Sequence, residues 1–221
     1  MTATPESARA LLNSDDYGDR LSGVNQLRQL DPALAFELIQ PAITDANSRV
    51  RYSAVSQMDS LGSVDLATTQ ALLRERLLTD SEIDVRSAAA DAIAALKLTA
   101  LFEELANAYE QTEEWLLQFS IVAALGEMGD PRGYDLLITA LDSDNALLQT
   151  AAIGSLGELG DRRAVPHITR FADSDDWQLR HRTAQALARL NGADAQATLQ
   201  RLSQDSTAQV AEAAQRGLIT E

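Results

Sequence analysis

Seven apolar residues, Leu27, Met58, Ile93, Leu125, Leu156, Leu187 and Leu218, recur along the chain at steps of 31, 35, 32, 31, 31 and 31 residues. Seven places before each of them runs a mostly polar column, Arg20, Arg51, Arg86, Gln118, Gln149, Arg180 and Ala211. Three places after them runs a second apolar column, Leu30, Leu61, Leu96, Met128, Leu159 and Leu190. A period of this size constrains the fold more than any other feature. Each unit is too small to bury its apolar face alone and must stack on its neighbours. The pattern predicts an all-α solenoid, a right-handed superhelix of about seven two-helix repeats forming one domain over residues 1–221. The repeats fall at roughly 6–30, 31–62, 63–97, 98–129, 130–160, 161–192 and 193–221, with the first and last expected to be abbreviated and to act as caps.

Within a unit the signals describe two helices and a turn. In the fifth, Asp130-Pro131 opens helix A, where the missing proline N–H costs nothing. Asp142-Ser143-Asp144-Asn145 makes the turn and offers capping oxygens, and helix B runs from Ala146 to Leu159 with Gly160 as its stop. The second unit repeats the plan, with helix B continuing to Gly62. The third has a longer entry, Gly62 to Thr69, to account for the step of 35. On a helical wheel Val50, Ala54, Met58 and Leu61 make the core stripe of one helix B, and Arg49, Tyr52, Ser53, Ser56 and Asp59 point away from it. That outward side is the expected concave working face.

Bulk properties narrow the function classes. The chain is 45% hydrophobic but only 5% aromatic, which suits close helix packing. Its net charge of -15, with Lys97 as the only lysine, disfavours nucleic acid, whose phosphates need a basic stripe. There is no cysteine, so thiolate chemistry, disulfides and cysteine-ligated zinc are excluded. No apolar run is long enough to span a bilayer, and the amino terminus lacks the charged and apolar regions of a leader, so cytoplasmic residence is the expectation.

The arginine column reads first as structure: its stems cover apolar surface and its guanidinium groups pair with turn aspartates such as Asp45, Asp80 and Asp175. The outward columns of helix B do not repeat, and for that reason they hold the candidate partner-binding residues: Tyr52, Leu116, Phe119, Ala123, Gly154, Gly157, His181, Arg182 and Arg189. Glycine inside a helix costs about 1 kcal/mol relative to alanine, so Gly154 and Gly157 mark close approach, either of a partner or of a neighbouring helix. Tyr17, Trp115 and Trp177 share the slot that starts helix B and are either contact anchors or plugs of the junction between units. Conventional catalysis finds little support, and no catalytic residue is assigned. His167 and His181 lack metal-ligand spacing, and His167 is expected to pack. The spacing Gly154, Gly157, Gly160 falls at the end of a helix and is no phosphate loop.

The most specific text stands at two junctions, Ala124-Leu125-Gly126-Glu127-Met128-Gly129-Asp130-Pro131-Arg132 and Ser155-Leu156-Gly157-Glu158-Leu159-Gly160-Asp161-Arg162-Arg163-Ala164-Val165-Pro166. It resembles the short HEAT-like repeat of the E/F-type phycobilin lyases. The amino-terminal third, with Asp15-Asp16-Tyr17-Gly18-Asp19-Arg20-Leu21, Val24 to Pro32 and Ala35 to Pro41, resembles the phycobilisome-degradation members of that family. The resemblance implies a cyanobacterial protein at the cytosolic face of the thylakoid. It would dock on the phycobiliproteins phycocyanin and allophycocyanin and help dismantle the antenna under nutrient stress. It also implies transient handling of a phycobilin, phycocyanobilin, with no covalently bound cofactor. Attachment of bilin as a lyase subunit, and a generic HEAT-like scaffold, are the alternatives.

Overall fold

A computed structural model describes residues 3–219, which among them contain helices, turns and bends and no strand. They form two compact units divided between Ser120 and Ile121. The first holds α1 (Pro5–Leu12), α2 (Tyr17–Gln26), α3 (Pro32–Ile39), α4 (Ser48–Ser56), α5 (Met58–Leu61), α6 (Leu66–Thr79), α7 (Ile83–Ala95), α8 (Phe102–Gln111) and the first turns of α9 (Trp115–Met128). The second holds the rest of α9, then α10 (Tyr134–Ala140), α11 (Ala146–Leu159), α12 (Val165–Thr169), α13 (Trp177–Leu190), α14 (Ala193–Leu202) and α15 (Ala208–Ile219).

The repeat columns explain the packing. Leu27, Met58 and Ile93 in the first unit, and Leu125, Leu156 and Leu187 in the second, are fully buried. Burial of each contributes roughly 1.5–3 kcal/mol. Turn carboxylates and amides close the helix starts: Asp31 accepts from the Ala33 and Leu34 amides, Asp65 from Ala67 and Thr68, and Asn145 from Leu147. Gly160 ends α11 at φ 75°, a conformation that a residue with a Cβ resists.

Two expectations are corrected and one is refined. The longer entry of the third unit is present but ends before Thr69: the 3-10 turn Gly62–Val64 and the capping Asp65 precede α6, which starts at Leu66, where the second unit has Asp31 alone before α3. The second helix B does not run unbroken to Gly62, because α4 ends at Ser56 and α5 starts at Met58. Gln57 is the cause. Its side-chain Nε2 donates to Val24 O on α2 at 3.0 Å and to Ser53 O at 3.4 Å. Ser53 O is the carbonyl that an α-helix offers to the Gln57 amide, which bonds Ala54 O at 3.2 Å instead and tightens the turn. Finally, the first and last repeats are not abbreviated, since α1 with α2 and α14 with α15 are each a helix pair.

Candidate functional site

The arginine column is a ladder, and its register links successive repeats. Arg20 holds Asp45 through Nε and Nη2 at 2.7 and 2.9 Å, Arg51 holds Asp80 at 2.8 and 2.8 Å, and Arg180 holds Asp205 at 2.7 and 3.0 Å. The third nitrogen of each donates to the turn of its own unit, at Ser14 O, Asp45 O and Ser174 O. Asp175 therefore gives Arg180 only its carbonyl, and the carboxylate partner is Asp205 of the next unit. The Arg20 bond holds the Asp45 carboxyl below the usual carboxylate range, and the Arg180 bond does the same for Asp205. Elsewhere the rung changes chemistry. Arg86 precedes a turn that carries Thr112 where the turns after Arg20 and Arg51 carry aspartate, and its Nε donates to Leu77 O at 2.8 Å. Gln118 donates to Thr112 O at 3.0 Å and Gln149 to Leu141 O at 3.3 Å. The column is consumed by structure.

The outward sides of the B helices differ from it. In the first unit α4, α7 and the start of α9 border an open groove of about 620 Å³. Tyr52 and Leu116 both line it, together with Val85, Ser87, Asp91 and Ser120. Glu82, Asp84 and Arg49 stand exposed at its rim. Ser87 belongs to the column expected to be outward, yet it is 6% exposed, and its hydroxyl has no hydrogen-bond partner among the described residues. Phe119, one turn along α9 from Leu116, is half-buried.

In the second unit His181, Arg182 and Arg189 of α13 come together beside Glu212 and Arg216 of α15, around a groove of about 480 Å³. Burial first, then the charges of Arg182 and Arg216, pushes the His181 imidazole below its ordinary value. Arg189 pairs with Glu158 at 2.9 Å, whereas the Arg182 guanidinium donates to Gln185 Oε1 at 3.4 Å. Ala123 is half-buried on α9.

Gly154 and Gly157 form no open floor: both are buried. A Cβ on Gly157 would stand 2.8 Å from Ala186 Cα, and one on Gly126 would stand 2.5 Å from Ser155 Cα. Helix packing is what these two glycines serve. Gly154 lies under the Arg182 side chain, whose Cδ a Cβ would meet at 3.4 Å. The aromatic slot behaves in the opposite way. Tyr17, Trp115 and Trp177 are 44%, 49% and 41% exposed and plug no junction. The Trp177 ring lies 6.3 Å from that of His181. Tyr52 and Leu147 are also among the most exposed large apolar side chains. His167, expected to pack, is exposed on α12.

Sequence reasoning missed the groove of the first unit as a concavity, and with it Ser87, Glu82 and Asp84. It also missed the register of the ladder. That register was available: Asp45, Asp80 and Asp205 follow an arginine in the preceding repeat, while Ser143 and Ser174 follow a glutamine.

The family model for HEAT repeats matches residues 5–94, 70–156 and 135–219. No curated protein sequence matches the chain. Among solved structures, YibA of Escherichia coli is similar with a TM-score of 0.66 at 15% identity, over 98% of this chain and 82% of that one. The complex of CpcE and CpcF of phycocyanin lyase from Nostoc sp. PCC7120 is similar with a TM-score of 0.59 at 19% identity, over 99% of this chain and 94% of that one. A mutant of Kap121p gives 0.65 at 15% identity, over 84% of this chain and 23% of its own. At such identities these likenesses establish the fold alone. The family rests on the repeat model: matched in overlapping spans from residue 5 to residue 219, this chain belongs to the HEAT-repeat family.

Proposed function

We propose that this HEAT-repeat protein is a phycobiliprotein-binding factor, similar to the phycobilisome degradation protein NblB, that promotes disassembly of the phycobilisome under nutrient stress. The observation that carries the reading is the outward side of the B helices. Tyr52, Trp115, Leu147 and Trp177 stand half-exposed there, and no two repeats present the same set. Repetition without function would leave repeated faces. Aromatic side chains left in water on such a face fit a protein surface that covers them. The junction motifs support phycocyanin and allophycocyanin as partners, as does the shared fold with the phycocyanin lyase complex.

A bilin handled at this face would be held transiently, because the chain has no cysteine to carry a thioether of its own. Within the second unit Ala123 offers apolar contact to the ring system, and Arg182 and Arg189 offer charge-assisted hydrogen bonds to propionates. Gly154 and Gly157 act behind that face as spacers. The protein would work in the cytoplasm, at the cytosolic side of the thylakoid, through the phycobilisome.

The test is to mix the purified chain with phycocyanin and with allophycocyanin, following co-elution and visible absorbance. Co-elution with falling bilin absorbance is the expected outcome. Co-elution without spectral change leaves an adaptor. Absence of binding to either protein rejects the reading and leaves a scaffold for another partner. The likeness in fold to a paired lyase favours one further reading, a bilin-attaching subunit, which predicts transfer of free phycocyanobilin to apo-phycocyanin only when a second, similar chain is present.

A further inference from the structure

Three features meet at the groove bordered by α4, α7 and α9 in the first unit. Its lining is largely apolar, from Val85, Ala88 and Leu116 beside the exposed ring of Tyr52. Its rim is acidic. The carboxylates of Glu82 and Asp84 are exposed and join no ion pair among the described residues; Arg49 lines the groove beside them, and Arg51, which lies within electrostatic reach of Glu82, is held by Asp80. The third feature is Ser87. A serine inside a helix usually returns its hydroxyl to the carbonyl four residues back. That of Ser87 has no partner, although the residue is more than nine-tenths buried and borders the groove. A buried hydroxyl without a partner carries a desolvation cost that a ligand donor or acceptor removes.

We propose that this groove receives a basic side chain, arginine before lysine, presented by a docking protein. Its alkyl stem lies against Tyr52 and Leu116, its charge sits between Glu82 and Asp84, and one of its donors meets the Ser87 hydroxyl once rotation about the Cα–Cβ bond turns that buried oxygen into the groove. Arginine fits best because a flat guanidinium stacks on an aromatic ring and still has five donors for carboxylate and hydroxyl acceptors. The apolar lining favours a side chain carried on a protein, since a free polyamine brings no flanking apolar surface to cover Tyr52 and Leu116. The net charge of -15 draws a basic patch toward this surface from a distance. This assignment holds whichever protein docks and does not rest on a phycobiliprotein being the partner.

The experiment titrates the full chain with a short helical peptide of alanine and glutamine bearing one central arginine flanked by leucines four residues away on either side. Amide resonances are followed by NMR. The controls are the same peptide with glutamine at the centre, and agmatine alone. The arginine peptide is expected to shift the amides of Tyr52, Ser87 and Leu116, and to bind about tenfold more tightly than either control. The E82Q/D84N double variant keeps its helical circular dichroism and loses about the same factor for the arginine peptide only. Equal affinity of the glutamine peptide overturns the proposal, as does unchanged affinity of the double variant. Agmatine binding as tightly as the peptide overturns it in favour of a small cation. Failure of the phycobiliprotein titration leaves all of these outcomes readable.

Discussion

The two units build the same helix pair and hold neighbouring B helices together by different means. The place just before the heading apolar residue is occupied by Gln26, Gln57 and Ala92 in the first unit, and by Ala124, Ser155, Ala186 and Gly217 in the second. The place just after it carries Arg28, Asp59 and Ala94 in the first, and Gly126, Gly157, Ala188 and Ile219 in the second. Small residues in both places of α9, α11 and α13 let these helices approach until backbone meets backbone, as at Gly126 with Ser155 and Gly157 with Ala186. In the first unit the Gln57 side chain reaches across to the Val24 carbonyl, and α4 breaks there. That unit is tied at its turns by two arginine–aspartate rungs, where the second has one among the described residues. One repeat plan thus gives a wedge and clamp in one half, and a close-packed seam in the other.

The clamp should be the costlier to lose. Arg51→Ala takes its bidentate partner from the Asp80 carboxylate, whose side chain is 1% exposed, and leaves it only Arg76 at 3.2 Å and the Glu82 amide; the loss of two charge-assisted bonds is expected to destabilise the protein by about 3 kcal/mol in urea unfolding. Arg86→Ala removes a single bond to a carbonyl and should cost about 1 kcal/mol. Equal losses would show that the ladder is ornament on a helix stack held by other forces. The clamp is also the acid-labile element. Burial raises the Asp80 carboxyl, but bonds from Arg51 and the Glu82 amide, with the charges of Arg51 and Arg76, lower it by more. Asp45 and Asp205 are lowered chiefly by Arg20 and Arg180. A depressed carboxyl stabilises fully above its unfolded value, and the contribution is lost as pH falls through the folded one. Stability should therefore be level at neutral pH and decline below about pH 4, and less steeply in Arg51→Ala.

The seam breaks by addition. Gly157→Ala places a methyl 2.8 Å from Ala186 Cα, where backbone must move, and should cost about 2 kcal/mol despite the better helix propensity of alanine. A gain in stability would mean that α11 and α13 have slack that the geometry denies. Gln57→Ala, the matching change in the first unit, deletes a buried bond to Val24 O and should cost about 1.5 kcal/mol. Thermal unfolding of both variants places wedge and seam on one scale.

What the sequence showed and what it hid divide along one line. Columns that repeat announced the helix pairs, the buried Leu27, Met58 and Ile93, the capping turns and the structural role of the arginines, because burial and capping impose the same residue at the same place in each unit. Faces that do not repeat were harder to read. Whether Gly157 bared its backbone to a partner or to α13 depends on the distance between helices, which no column reports. Trp115 and Trp177 looked equally suited to plug or to anchor, since tryptophan does both. Ser87 fell in an outward column by arithmetic, yet its position on α7 buries it. The break at Gln57 was hidden because glutamine is a good helix former, and only its side chain, reaching Val24 O and taking Ser53 O from its own amide, interrupts the ladder.

The smallest expected effect is the sharpest test of the comparison, because it adds a rung where the ladder changes chemistry. Thr112 stands in the turn position that Asp45, Asp80 and Asp205 occupy, and already performs half of their work, since its hydroxyl accepts from the Glu114 amide at 3.1 Å. Asp80 accepts from Glu82 in the same way at 3.0 Å, and Asp205 from Thr207 at 2.8 Å. Arg86 precedes Thr112 as Arg51 precedes Asp80. Thr112→Asp should keep the cap, swing the Arg86 guanidinium from Leu77 O onto a carboxylate, and raise stability by about 1 kcal/mol, the upper range for a partly exposed pair. The gain should vanish when Arg86 is also replaced by alanine, and should fade below about pH 4 as the new carboxylate protonates. A double-mutant cycle with no coupling between positions 86 and 112 would mean that the rungs depend on helix spacing particular to Arg20, Arg51 and Arg180, and not on a register common to every repeat.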